Sequence, residues 1–236
     1  MNFSMGRANA IFQKDFKDIS RNSAVSVSAL MPLIIAFVMG KMGDDIAIDG
    51  HYMIINIAMV VVGTFVQCCL IAEEKEKNTL RGLMLSPAST LEILGGKSLL
   101  TLIATMVIVV IGAFFSGYRP EHILVIAIAI LFSSFFFIGL GTLLGLLAKS
   151  VMEASVLIMP FMFIFGFGSM FTMFVDKYPI LKVMDYTPNM QLMKIAVKVE
   201  GGVGFGEVWL NFGIIALWII AVYVLAVVVF RKRKMD

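Results

Sequence analysis

The chain has 236 residues, of which 60% are hydrophobic and 15% charged, against roughly 45–50% and about 25% in an ordinary soluble domain. That apolar mass exceeds what one soluble core holds, and a net charge of +3 gives no basis for nucleic-acid binding. Two cysteines exclude a disulfide scaffold; Cys68 and Cys69 sit side by side in an apolar run and read as buried thiols.

Residues 1–22 place Met5, Ala8, Phe12, Phe16 and Ile19 at helical spacing, with Arg7, Lys14, Lys17 and Arg21 opposite. This is the pattern of an amphipathic helix on the inner membrane surface, serving either as an anchor for the first span or as a coupling element. Asp15 and Asp18 set the stretch apart from a signal-peptide n-region. A spanning helix needs about 20 predominantly apolar residues. Six windows supply them: Ala24 to Gly40, Tyr52 to Ala72, Leu99 to Ser116, Ile123 to Ala148, Val151 to Val175 and Val208 to Phe230. Only Lys149 and Ser150 separate the fourth from the fifth, so a tight hairpin is expected there. The predicted fold class is all-α, a polytopic membrane protein with six transmembrane helices over residues 23–236.

Basic residues in loops accumulate on the cytoplasmic side. With both termini cytoplasmic, the inner segments hold 13 of the 19 Lys and Arg residues: Arg7, Lys14, Lys17, Arg21, Lys75, Lys77, Arg81, Lys97, Lys149 and Arg231 to Lys234. Between the second and third windows, residues 73–97 form the longest inner loop. Its charged start, Glu73 to Lys77, gives way to apolar Leu80, Leu83, Met84 and Leu85; Ser86-Pro87 then suits the cap and first turn of a new helix, and Gly95-Gly96 can bend it. An apolar knob flanked by charges is what docking a soluble partner requires. On the outer side, in residues 176–207, Thr187-Pro188 can open a helix that Gly201-Gly202 closes. Gln191, Lys194 and Lys198 form its narrow polar stripe, so a re-entrant or interfacial helix is expected rather than a disordered loop.

Sites of chemistry are scarce. Gly95-Gly96-Lys97-Ser98 is similar to the end of a phosphate-binding loop, but Leu91 stands where the first glycine belongs. Glu73-Glu74 is similar to the paired glutamates of intramembrane prenyl-protein proteases, but Asn78 takes the place of that motif's arginine. Ser169, in Gly166-Phe167-Gly168-Ser169, has no acid or base nearby in sequence, and His51 and His122 with two buried cysteines make a poor metal set. Among the windows Glu153 is the single Asp, Glu, Lys, Arg or His; Lys149 lies four residues before it and would neutralise it if the helix continued. A chain with neither a nucleotide site nor an ion relay takes any driving force from elsewhere.

The run Glu74-Lys75-Glu76-Lys77-Asn78-Thr79-Leu80, followed by Leu83, Ser86-Pro87, Glu92 and Gly96-Lys97, resembles the first inner loop of the permease subunits of type-2 ATP-binding-cassette exporters. Asn78 replaces the usual glycine and, like it, tolerates left-handed backbone angles. Pro179 and Pro188 bracket the family's spacing before its last span. The resemblance implies a six-span permease domain at residues 23–236, preceded by a connecting helix at 1–22. It also implies a non-enzymatic transport subunit that binds no cofactor, with ATP and Mg held by a separate nucleotide-binding ATPase. Glu74, Glu76, Thr79, Leu80, Leu83, Ser86 and Pro87 would couple to that ATPase. A second permease copy or a related permease would enclose a path lined by the second and fifth spans, with Thr64, Gln67, Met159, Met162, Phe165 and Met170 as its candidates. The Met/Phe series around Pro160 would either face lipid or line that path; in the second case soft side chains favour a peptide, an antibiotic or a lipid-like cargo. Sodium extrusion, an ion-coupled carrier and a non-transporting immunity protein are the other readings.

Overall fold

A computed structural model describes residues 5–42, 46–77, 79, 90–202 and 205–233, and every regular element among them is a helix. In chain order these are α1 (Met5–Arg21), α2 (Ser23–Lys41), α3 (Ile48–Glu76), α4 (Thr90–Phe115), α5 (Ile123–Leu147), α6 (Val151–Gly166 with Gly168–Phe174), α7 (Pro188–Glu200) and α8 (Trp209–Arg233). Four of them, α3, α4, α5 and α8, are each long and apolar enough to cross a bilayer. The segments of α1 and α2, bent by 77°, and the halves of α6, bent by 63°, meet that criterion only as pairs, so the described chain offers four to six spans.

The helix boundaries follow local chemistry. Asn22 separates α1 from α2 and caps the latter, its Oδ1 accepting from the Val25 N–H at 3.3 Å. At the hairpin after α5, the Ser150 hydroxyl accepts the Glu153 N–H at 3.2 Å, and the Glu153 carboxylate accepts the Lys149 N–H at 2.7 Å. The condition for Lys149 to neutralise Glu153, a helix running on through both, is not met: Ser150 caps the new helix and the Glu153 carboxylate turns back to the Lys149 N–H just before it. Pro188 occupies the first turn of α7 and Gly202, at φ +77°, closes it, as the sequence pattern predicts. The fifth window departs from expectation by breaking at Phe167, where Gly166 and Gly168 flank the bend.

Burial ranks the helices. In the most apolar window of α3, 94% of residues are buried, against 56% in α5, 28% in α4 and 17% in α8, so α3 is the axial rod and the others surround it. The middle of α3, Met59–Val66, is π-helical. α5 packs along α3 and carries α8 on its other side, while α4, α2 and α1 cover the opposite flank. α3 and α5 approach closely because Gly141 and Gly145, one turn apart, face the rod. A Cβ at Gly141 would overlap the Thr64 carbonyl and lie 2.8 Å from Gln67 Cβ; one at Gly145 would lie 2.8 Å from the Cys68 carbonyl oxygen. Lipid is as apolar as the helices, so such close packing rather than hydrophobic expulsion holds spans together.

Gly141→Leu should therefore lower the melting midpoint of the solubilised protein, an overpacking cost of about 1–3 kcal/mol. Gly213→Leu, where an added Cβ meets nothing within 4 Å, should leave it unchanged. Equal midpoints for the two variants would remove the close-approach account of the α3–α5 seam.

Candidate coupling site and cargo-facing surface

The charged run ends the axial rod, and successive helical residues point about 100° apart. Three neighbours in sequence therefore reach three different elements. Glu74 turns toward α1 and α4: its Oε1 lies 2.6 Å from Lys14 Nζ and 3.0 Å from Lys97 Nζ. Lys97 also donates to both Asp15 oxygens, at 3.1 and 2.9 Å. The Lys75 ammonium donates to the Leu146 carbonyl at 2.8 Å and to that of Ala148, satisfying the open end of α5. Glu76 accepts the Val151 N–H at 2.9 Å, at the start of α6.

Lys97 is wholly buried and Asp15 is 1% exposed. Burial pushes the Asp15 carboxyl upward, against the pull of Lys97. Burial lowers Lys14, but its hydrogen bond and charge pairing with Glu74 outweigh that and hold it above the ordinary lysine value. Thr79 is exposed and its hydroxyl donates to the Glu74 carbonyl at 3.3 Å. Leu80, Leu83, Ser86 and Pro87 lie outside the described residues. Of the expected coupling set, Glu74 faces inward and Glu76, though exposed, binds its own chain. Asp15 and Lys97 were missed as partners. The available signal was an acid on the face of α1 that also carries Ile11, and a lysine two residues before the third apolar window.

The expected path residues separate into two places. Thr64 and Gln67 are fully buried between helices. Thr64 donates to the Phe137 carbonyl at 3.0 Å; Gln67 Nε2 donates to Thr142 Oγ1 at 3.0 Å, and Thr101 donates to Gln67 Oε1 at 2.5 Å. This polar seam ties α3 to α4 and α5 and presents no surface. On α6, Met152, Val156, Met159, Phe163 and Met170 form an exposed stripe, with Met159 54% and Met170 52% accessible. Phe165 points the other way, edge-on to Phe136 and Phe137 with ring centroids 5.2 and 5.9 Å apart, and Met162 is half-buried against the same core.

At the opposite end of the bundle α7 dips back among α3, α5 and α8. Its polar stripe is fully engaged. Asn211 donates to Gln191 at 2.6 Å, Lys198 donates to Asn211 at 3.0 Å, and Lys194 pairs with Asp185 at 3.2 Å. Tyr118 donates to Glu200 at 2.8 Å and exchanges a hydrogen bond with Tyr52 at 3.1 Å. Burial, with these two neighbours, pushes the Tyr118 phenol upward.

No group of three or more His, Cys, Asp or Glu among the described residues could hold a metal ion. What this architecture offers is a helical membrane body, with one loop rooted in a charge junction at one end. No curated protein matches the chain. Residues 44–228 match the model of the ABC-2 family transporter protein, from just before α3 to near the end of α8. That match takes in the axial rod, the loop and the broken sixth helix alike, and the chain belongs to the ABC-2 transporter family as its membrane-spanning permease.

Proposed function

We propose that this permease moves an amphipathic or hydrophobic cargo (a peptide, an antibiotic or a lipid-like molecule) outward, driven by a separate ATPase subunit docked on residues 73–97. The observation that carries the reading is the root of that loop. Its two ends are joined by the Glu74–Lys97 ion pair at 3.0 Å, so a partner gripping the loop grips the end of the axial rod. In this reading ATP and Mg belong to the partner, and the chain binds no cofactor and no nucleic acid. Residues 1–22 form an interface helix and 23–236 the permease domain, whose six spans begin with α2 alone, and both termini are cytoplasmic. Support for the orientation comes from clustering. Lys14, Lys75, Lys97 and Lys149 gather at the loop end, where Ile71, Leu146 and Phe230 bring the basic tail of α8 beside them.

The exposed methionines of α6, Met159 and Met170 with Met162 at their margin, are the side chains best suited to meet cargo, facing a second copy or a related permease. Phe165 fastens that helix to α5, while Thr64 and Gln67 join α3 to α4 and α5. Membrane lipid covers the outward apolar faces of α4 and α8.

Leu83→Asp should abolish cargo-stimulated ATP hydrolysis and reduce co-purification of the ATPase at least tenfold, because docking would bury an unpaired charge. Stimulated hydrolysis at the wild-type rate would remove the loop from the interface. Topology is checked by single cysteines in a background lacking Cys68 and Cys69. Positions 45 and 201 should label from outside, and positions 89 and 235 only after permeabilisation; outside labelling at 89 would overturn the orientation. For the path, Met159→Gln and Met170→Gln should cut export at normal protein level. Phe165→Ala should instead cost about 3–5 kcal/mol of stability by opening a cavity beside Phe136. Unchanged export in both methionine variants would return the stripe to lipid.

A further inference from the structure

Asp15, Glu74 and Lys97 come from α1, the last turn of α3 and the first turns of α4. Glu74 and Lys97 bracket the docking loop, and each also holds α1, through Lys14 at 2.6 Å and through Asp15 at 2.9 Å. The four formal charges cancel, and three of the four side chains are shielded from water, with 0% exposure at Lys97, 1% at Asp15 and 6% at Glu74. Ion pairs in such a site resist separation far more than they would in water. The loads on Glu74 are uneven. Both ammonium groups sit on Oε1, while Oε2 is buried with no hydrogen-bond partner. A static fastening would spread two donors over two oxygens, since a buried acceptor without a donor is costly. The arrangement observed has a second, unused position built into it.

We infer that the Lys14–Glu74–Lys97–Asp15 junction carries displacement of the 73–97 loop into α1, with Glu74 exchanging its lysines between its two oxygens. Asp15 is then a positioning residue for transport, acting through Lys97 and touching neither cargo nor nucleotide. The inference rests on the docking role of the loop. When the ATPase shifts the loop, Glu74 and Lys97 move relative to each other. Lys97 retains Asp15, and α1, which packs along α4, follows. A coupled two-position element of this kind is what energetic communication between sites requires.

The test uses the full chain with its ATPase in nanodiscs, spin-labelled at exposed Gln13 of α1 and exposed Lys149 of the α5–α6 turn. With ATP and vanadate the wild-type distance should shift. In Asp15→Asn it should stay at its nucleotide-free value, with ATPase affinity within twofold of wild type and export down at least tenfold. A wild-type distance that ignores nucleotide, or an Asp15→Asn protein that shifts and exports normally, overturns the inference. So does loss of ATPase binding in Asp15→Asn, which would make the junction a shaper of the docking surface. Should Asp15→Asn fail to accumulate, Asp15→Asn/Lys97→Met leaves neither member of that pair charged, and the same readings decide. Failure of the docking role itself is seen separately, as normal ATPase binding by Leu83→Asp.

Discussion

Lys97 is a fully buried ammonium, and the placement of three helices depends on how its charge is met. Removing an ion from water costs several kcal/mol, a penalty offset only when geometry is good and the remaining donors are satisfied. Asp15 meets it with both oxygens and Glu74 with one. This fixes α1 against α4 and holds the two ends of the loop together. Once Glu74 is committed inward, helical rotation dictates the rest: Lys75 must face the end of α5 and Glu76 the start of α6. The charged run closes off the carbonyl end of one helix and the amide end of another, where ions of those signs are favoured.

That arrangement presupposes an axial α3. A helix enclosed on all sides can direct side chains to several neighbours, and α3 does so along its length. Glu74 to Glu76 act at one end, Gln67 and Thr64 in the middle, and Tyr52 at the other end. Glycines at 141 and 145 let α5 come close enough for Gln67 to reach Thr142. In a membrane, hydrogen bonds and close packing of this kind replace the hydrophobic drive that water supplies to a soluble core. The break in α6 obeys the same solvent logic. Backbone freed from helix is tolerated at membrane depth only inside protein. Gly166 and Gly168 are buried there, against Ile57 and Asn189 respectively.

The chain is a permease of the ABC-2 family, and in the proposed reading this construction matters because a separate ATPase supplies the force. The rod is anchored at the loop end by ion pairs and at the far end by the Tyr52–Tyr118–Glu200 chain. α6 is differently placed. One of its faces is locked through Phe165 to the phenylalanines of α5, and its other face, carrying Met159 and Met170, is uncovered in the single protomer.

Periodicity and punctuation in the sequence determined the all-helical class, four of the span windows, the hairpin at Lys149-Ser150 and the helix between Pro188 and Gly202. These are legible because each depends on local chemistry: apolar run length, a cap, a proline at a first turn, a glycine past an end. Tertiary structure alone decided that Asp15 meets Lys97 from 82 residues away, because ion-pair partners leave no periodic trace. It also turned Thr64 and Gln67 into a seam rather than a wall. In a chain whose spans are apolar on nearly every side, composition does not reveal which face of a helix meets protein and which meets lipid. The same ambiguity hid the break at Phe167 and the opposed directions of Phe165 and Met159, which are set by the neighbours α6 packs against.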